Sequence, residues 1–380
     1  MTHKERFLTA MQNQVPDRVP CTPDISNYIP CKKTEKPYWD IYFHDDPPLW
    51  KAYIDAADHY EMEMWIASCM GIPLVYEDRK VDIARSLRYI PEKDATLEEI
   101  IYTTPDGELR EERLCFRQDP PTPLTRIIKD LEQDWKAYKW LLTPPSGIDQ
   151  KLLNTVKEEC HIRNQAFGCV VGYPGFQSWE GMITGGIQTL SYASIDYPEI
   201  LDEWCKAQME AGTRSMELYL EQDPDYVLFG GSGTITLASP DLVRKYAIPA
   251  LKKWSAMAKK AGVPSLLHSC GKSRVLVDML VEQTDINCVN PLEIPPMGDV
   301  NLAEVKKTRG SQIALMGNLH TTELMLFGTP EQVYQASVEA IQDGAQGGGF
   351  ILSTGDQCPR ETPDENIFAM IQATKDSGQY

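Results

Sequence analysis

Six short apolar runs recur through the second half of the chain, at Phe167–Val171, Tyr226–Phe229, Pro264–Leu267, Ile286–Val289, Ile313–Met316 and Gly349–Leu352. Each leads through a loop into a helical segment. The helical segments read as Pro198–Leu220, Pro240–Ala261, Ser273–Gln283, Leu302–Lys307, Pro330–Asp343 and Pro363–Ser377, several opened by proline, whose missing N–H costs nothing in a first turn. Strands that alternate with helices make a parallel sheet. Two earlier extended runs, Arg18–Ile25 and Met62–Ser68, bring the strands to eight. Eight such units predict an α/β chain closed into a (β/α)8 TIM barrel, in which catalytic groups gather at the C-terminal ends of the strands. One barrel domain is expected over residues 1–380. Between about 76 and 115 the pattern changes: Arg85–Ile90 and Ile100–Thr103 flank turn-rich segments, and Thr104-Pro-Asp-Gly107 is a hairpin signal. An antiparallel insertion in the N-terminal half is expected there.

With 55 acidic against 37 basic side chains, the formal charge of −18 repels nucleic acid and anionic membrane surfaces. The ten cysteines show no paired framework spacing, and a 380-residue chain with 42% apolar residues needs no staples, so reduced thiols in the cytoplasm are expected. No stretch approaches the roughly 20 apolar residues of a membrane span.

The sequence Leu266-Leu-His268-Ser-Cys270-Gly271 ends the fifth expected strand on two metal-ligand types. Residues two apart on a strand share a face, so His268 and Cys270 can point at one ion. Cys358 follows the eighth strand, and Glu293 follows the sixth in Asn290-Pro-Leu-Glu293. A histidine and two thiolates suit a zinc ion that keeps a position for substrate. The alternative is plain: His-x-Cys also arises by chance, and buried cysteines often serve as small apolar residues.

Taken together, His268-Ser-Cys270-Gly271, Met316-Gly-Asn318-Leu, Gly328-Thr-Pro330-Glu, Gly347-Gly-Gly-Phe-Ile-Leu and Thr362-Pro-Asp-Glu-Asn366 resemble the uroporphyrinogen decarboxylase superfamily. Within it, they are similar to the zinc-dependent, corrinoid-linked methyltransferases. The resemblance implies zinc on His268, Cys270 and Cys358, with Glu293 placed like a fourth, glutamate ligand. It also implies a corrinoid cofactor carried by a partner protein, since the chain has no cobalamin module of its own. The metal-free decarboxylase branch grips substrate carboxylates with arginines near the first strand, whereas Thr22-Pro-Asp-Ile-Ser-Asn-Tyr28 has none.

The expected reaction passes a methyl group from a methylated small molecule, an aryl methyl ether, to the cobalt of the corrinoid protein, zinc activating the leaving oxygen. Methyl transfer to a thiol or to tetrahydrofolate, and decarboxylation, are the alternatives. His320, after strand seven, is the candidate acid for a phenolate leaving group, or else a loop-capping histidine. Tyr173, Phe176 and Trp179 offer an aromatic surface for a flat substrate, or else cover the barrel rim. Asp24 and Asn27, past strand one, would orient substrate or cap their loop. A homodimer is left open.

Overall fold

The computed structural model describes residues 1–65 and 74–380. Twelve strands are formed among them: β1 (Leu74–Val75), β2 (Asp82–Ile90), β3 (Ala95–Thr104), β4 (Gly107–Phe116), β5 (Thr122–Thr125), β6 (Gly147–Ile148), β7 (Gly168–Gly172), β8 (Tyr226–Gly230), β9 (Ser265–His268), β10 (Cys288–Asn290), β11 (Ala314–Leu319) and β12 (Phe350–Thr354). The last six lie side by side in sequence order, all parallel, with at least one helix between each consecutive pair. Their residues are almost wholly buried, as expected of strands covered on both faces.

Two extended segments fill the space between β12 and β7 and complete a ring of eight. Residues 20–22 run parallel to β12, with Thr22 N donating to Leu352 O at 2.8 Å and Leu352 N to Pro20 O at 2.9 Å. Residues 62–65 lie beside them, Glu63 N donating to Cys21 O at 3.2 Å. On the other side the Gln165 carboxamide takes the part of a ladder: its Oε1 accepts from Met64 N at 2.9 Å and its Nε2 donates to Met62 O at 2.8 Å. The remainder of the expected second strand, residues 66–68, falls outside the described residues.

The helices match the predicted segments to within a residue or two at their ends, with one change. Pro240–Ala261 is broken into Pro240–Tyr246 and Ile248–Ala261, because Pro249 has no N–H to continue the ladder. The first helix spans His3–Met11, buries Phe7 and Met11, and stops before Pro16. The insertion is larger than a hairpin: β2 to β5 form a four-stranded antiparallel sheet reaching residue 125, with Thr104 paired to Gly107 across the expected turn. No disulfide joins the described cysteines. None of the described helices is long and apolar enough to cross a membrane.

Candidate active site

The C-terminal ends of β9, β10 and β12 bring a thiol, an imidazole and two carboxylates together. His268 is the last residue of β9, and Ser269 extends the pairing by one residue through its N–H to Asn290 O at 2.8 Å. The chain then turns at Gly271, whose φ of +78° and contact with Thr236 Oγ1 leave no room for a Cβ. That turn carries Cys270 to the mouth. Ligand atoms of Cys270, Glu293 and Asp356 all lie within 4.8 Å of one another, and His268 Nε2 is 3.9 Å from Asp356 Oδ1.

Neighbouring groups hold this arrangement in place. Asn290 Oδ1 meets His268 Nδ1 at 2.6 Å, so Nδ1 carries the proton and Nε2 is left facing the cluster. Cys270 Sγ is 2.8 Å from Ser232 Oγ, in the glycine-rich loop after β8. Glu293 Oε2 accepts the Gly271 N–H. Beneath them Tyr173 OH, Thr234 Oγ1 and Ser269 Oγ form a buried chain with spacings of 2.5 and 2.8 Å.

The site is rich in negative charge. Burial alone would lower the pKa of His268, yet the Cys270 sulfur, the charges of Asp356 and Asp24 and the Asn290 contact push it up to about 9. Burial raises Glu293, and Asp356 adds to this while the Gly271 N–H opposes it. Asp24 is raised for the same reasons, burial first and Asp356 second. Bringing a divalent cation among these donors would relieve both burial and repulsion. The donor set of imidazole, thiol and carboxylate fits zinc.

The other expected residues divide. Cys358 is fully buried and is not among the ligand atoms that lie within 4.8 Å of one another; its N–H donates to Asp24 O at 2.8 Å, and burial followed by the Asp24 charge holds its thiol far above the usual range. Asp24 is buried and accepts from Ser26 N at 2.9 Å. Asn27 sits farther out, accepting from Tyr42 OH at 3.1 Å and lining a cavity of about 510 Å³ shared with Phe116 of the inserted sheet. His320 caps the turn Thr321–Leu326, its Nδ1 accepting from Thr322 and Glu323 N–H groups at 3.2 and 3.1 Å. With Nδ1 fixed as an acceptor, Nε2–H remains a donor. A narrow crevice joins His320 to Glu293, Asn318 and Gly355, and a groove of about 750 Å³ runs on from it past Glu323 and Glu339.

Phe176 and Trp179 do not form a platform at the mouth. They belong to a second aromatic core outside the barrel, where Trp179 stacks on Trp204 at 5.0 Å and its Nε1 donates to Gln208 at 2.7 Å. A short helix, Phe176–Trp179, turns the rings outward onto the long helix Pro198–Leu220. Tyr173, fully buried, supports the β9 turn through Thr234. Asp356, Asn290 and Ser232 were missing from the sequence reading. Asp356 had a signal: it lies two residues before Cys358, just past a predicted strand.

The family profile described as "Uroporphyrinogen decarboxylase (URO-D)" matches residues 178–377. A methylated-thiol–coenzyme M methyltransferase of Methanosarcina mazei is 30% identical over 146 residues, 38% of this chain and 36% of the relative, so the match spans about a third of that protein. The methylcobamide:CoM methyltransferase MtbA of Methanosarcina acetivorans is 25% identical over 263 residues, covering 67% of this chain and 71% of the relative. Uroporphyrinogen decarboxylase 2 of Oryza sativa subsp. japonica is 24% identical over 59% of this chain and 55% of its own. Among solved structures, a methyltransferase from Methanosarcina mazei superposes over 99% of both chains with a TM-score of 0.66 at 16% identity, which shows a shared barrel fold.

Proposed function

The chain belongs to the uroporphyrinogen decarboxylase family, and from that premise we propose that it transfers a methyl group between a methylated small molecule and the cobalt of a corrinoid held by a partner protein. The observation that carries this reading is the meeting of Cys270, Glu293 and Asp356 within 4.8 Å beside His268. Thiols and imidazole are the donors of a zinc centre. The metal-free decarboxylation within the same family relies instead on arginines near the first strand, and residues 22–28 contain none. Two of the matched relatives bear methyltransferase names, which supports the same side of the family.

His268, Cys270, Cys358 and Glu293 would hold zinc. When bound, zinc supplies Lewis acidity to the heteroatom that carries or receives the methyl group. Asn290 fixes the imidazole tautomer that leaves Nε2 available, and Ser232 supports Cys270 by hydrogen bonding. His320 keeps an N–H donor at the crevice that leads to Glu293, so a leaving group that gains charge there can be protonated or hydrogen-bonded. The partner would approach over the strand C-terminal ends, where Cys270 and His268 are partly accessible to solvent.

The aryl methyl ether expected from the sequence loses its aromatic platform, since Phe176 and Trp179 face protein. The names of the matched relatives point to thiol chemistry, so a methylated thiol or thioether stands ahead of it as substrate. The test is to mix zinc-loaded protein, a reduced corrinoid carrier and a panel of thioether, aryl ether and methylamine donors, following methyl-cobalt absorbance. Methyl-cobalt formation that disappears in Cys270→Ala is expected. Decarboxylation of a tetrapyrrole polycarboxylate, with no methyl transfer from any donor or to any thiol, would contradict the reading.

A further inference from the structure

Beside the mouth, the inserted sheet and the barrel share the walls of one cavity. The barrel side begins at the cluster itself. Asp24 Oδ1 accepts from Ser26 N at 2.9 Å, and Ser26 accepts in turn, through its carbonyl and through Oγ at 3.2 Å, from Gln357, the residue between Asp356 and Cys358. From this edge a space of about 510 Å³ opens between Asn27, Tyr28 and Gln357 on the barrel and Leu114, Phe116 and Leu124 on the sheet. Leu114 and Phe116 are two apart on β4 and share a face; Thr122, paired with Leu114, puts Leu124 on that face too. A volume of this size suits one small organic molecule.

The sheet side is apolar and uncovered: Phe116 is 38% exposed and Leu124 53% exposed. Tyr28, at the start of the helix Tyr28–Lys33, adds a second ring from the barrel side. The polar groups are few. Asn27 Oδ1 is taken by Tyr42 OH and Gln357 Nε2 by Ser26, which leaves Asn27 Nδ2 as a donor and Gln357 Oε1 as an acceptor with no partner among the described residues. Among the described residues, the one charged group on the walls is Asp119, which disfavours an anion. Aromatic and aliphatic walls with one free donor and one free acceptor suit a flat, uncharged ring.

We propose that this cavity holds the non-reacting part of the methyl donor, an aromatic ring bearing the methylated sulfur or oxygen, with the ring against Phe116, Leu124 and Tyr28 and the heteroatom directed past Gln357 to the cluster. What commits the cavity to the substrate is its continuity with the mouth through Gln357 and Ser26. The proposal deepens the methyl-transfer reading and rests on it. It gives the inserted sheet the task of selecting the donor, and it puts Tyr28 and Phe116 in the part that the sequence offered to Phe176 and Trp179.

The test measures donor binding to the full chain by calorimetry, after zinc-replete expression and without corrinoid, so that no turnover is needed. Thioanisole and anisole are the aryl probes; ethyl methyl sulfide and cyclohexyl methyl sulfide are the aliphatic ones. At least one aryl probe should bind about tenfold or more tighter than ethyl methyl sulfide, and the tighter of the two identifies the heteroatom. Phe116→Ala and Leu124→Ala should each cut the aryl-over-aliphatic preference by about threefold or more, with the circular dichroism of the wild type. Equal binding of aryl and aliphatic probes, a preference untouched in both variants, or cyclohexyl methyl sulfide bound as tightly as thioanisole would each overturn the proposal. The methyl-transfer reading fails separately: aryl probes that bind through Phe116, in a protein that forms no methyl-cobalt with a reduced corrinoid carrier and any donor, would keep the ring site and defeat that reading.

Discussion

A thiol, an imidazole and two carboxylates cannot crowd within a few ångströms at a barrel mouth without a cation or shared protons between them. Cys270→Ala and His268→Ala are therefore expected to lose bound metal while keeping the far-ultraviolet circular dichroism of the wild type. His268 is the last residue of β9 and Cys270 lies just past it, and neither belongs to the hydrophobic barrel core. Unfolding on metal removal would contradict this. Trp179→Ala should do the reverse, lowering stability by about 3–5 kcal/mol in urea titrations through the lost stack on Trp204, with metal content unchanged. At this scale the sequence exposed the residues with distinctive chemistry. His268 and Cys270 declared themselves by type and spacing, and Glu293 by its place after a strand. Asn290 did not, because amides at strand ends are common, and Asp356 carried only the weak signal of its place two residues before Cys358; their distances to His268 single them out. For a related reason the sequence left two roles open for Phe176 and Trp179, which pack in the second core: a loop aromatic looks the same in sequence whether it faces a cavity or a neighbouring helix.

Strand and helix alternation was legible because each of the last six strands is short, apolar and buried on both faces, and each helix carries its own start signal. The ring closure was harder to see. Residues 62–65 make no regular ladder with β7; the Gln165 side chain reads their backbone instead. No periodicity encodes a bridge of that kind. Gln165→Ala should leave Met62 O and Met64 N unpaired in the interior, at a cost of about 1–3 kcal/mol for each group. Chemical denaturation would measure the loss, and a change below about 0.5 kcal/mol would mean that the segment is held by other contacts. The inserted sheet was visible through its Thr104–Gly107 turn, but its fourth strand, Thr122–Thr125, is too short and proline-containing to stand out.

Across the whole molecule, Glu63 ties the first helix to the two segments that complete the barrel. It accepts from Arg6 Nη1 at 2.7 Å, Arg18 Nη2 at 3.0 Å and Cys21 N at 2.8 Å. Burial alone would raise its pKa, but the His3 imidazole 3.3 Å away, the Arg18 charge and the Cys21 N–H hold it below the ordinary 4.5. A carboxylate with a depressed folded pKa stabilises above its unfolded value, and that contribution is lost as the pH falls through the folded one. The part of the melting temperature owed to Glu63 should therefore hold from neutrality to about pH 5 and decline below it. Glu63→Gln should remove that part of the acid sensitivity and reduce stability at neutral pH by about 3–5 kcal/mol, since Arg6 and Arg18 are left facing a neutral buried group. An unchanged acid limb in the variant would assign the decline to other carboxylates.

The central claim is that the mouth of this barrel is a metal centre. Its most direct measurement is the metal content of the full chain, purified after zinc-replete expression and compared with Cys270→Ser by elemental mass spectrometry. The account predicts about one zinc per wild-type chain and almost none in the folded variant. Wild-type protein that is folded yet free of zinc, or a variant that keeps its full complement, would contradict it.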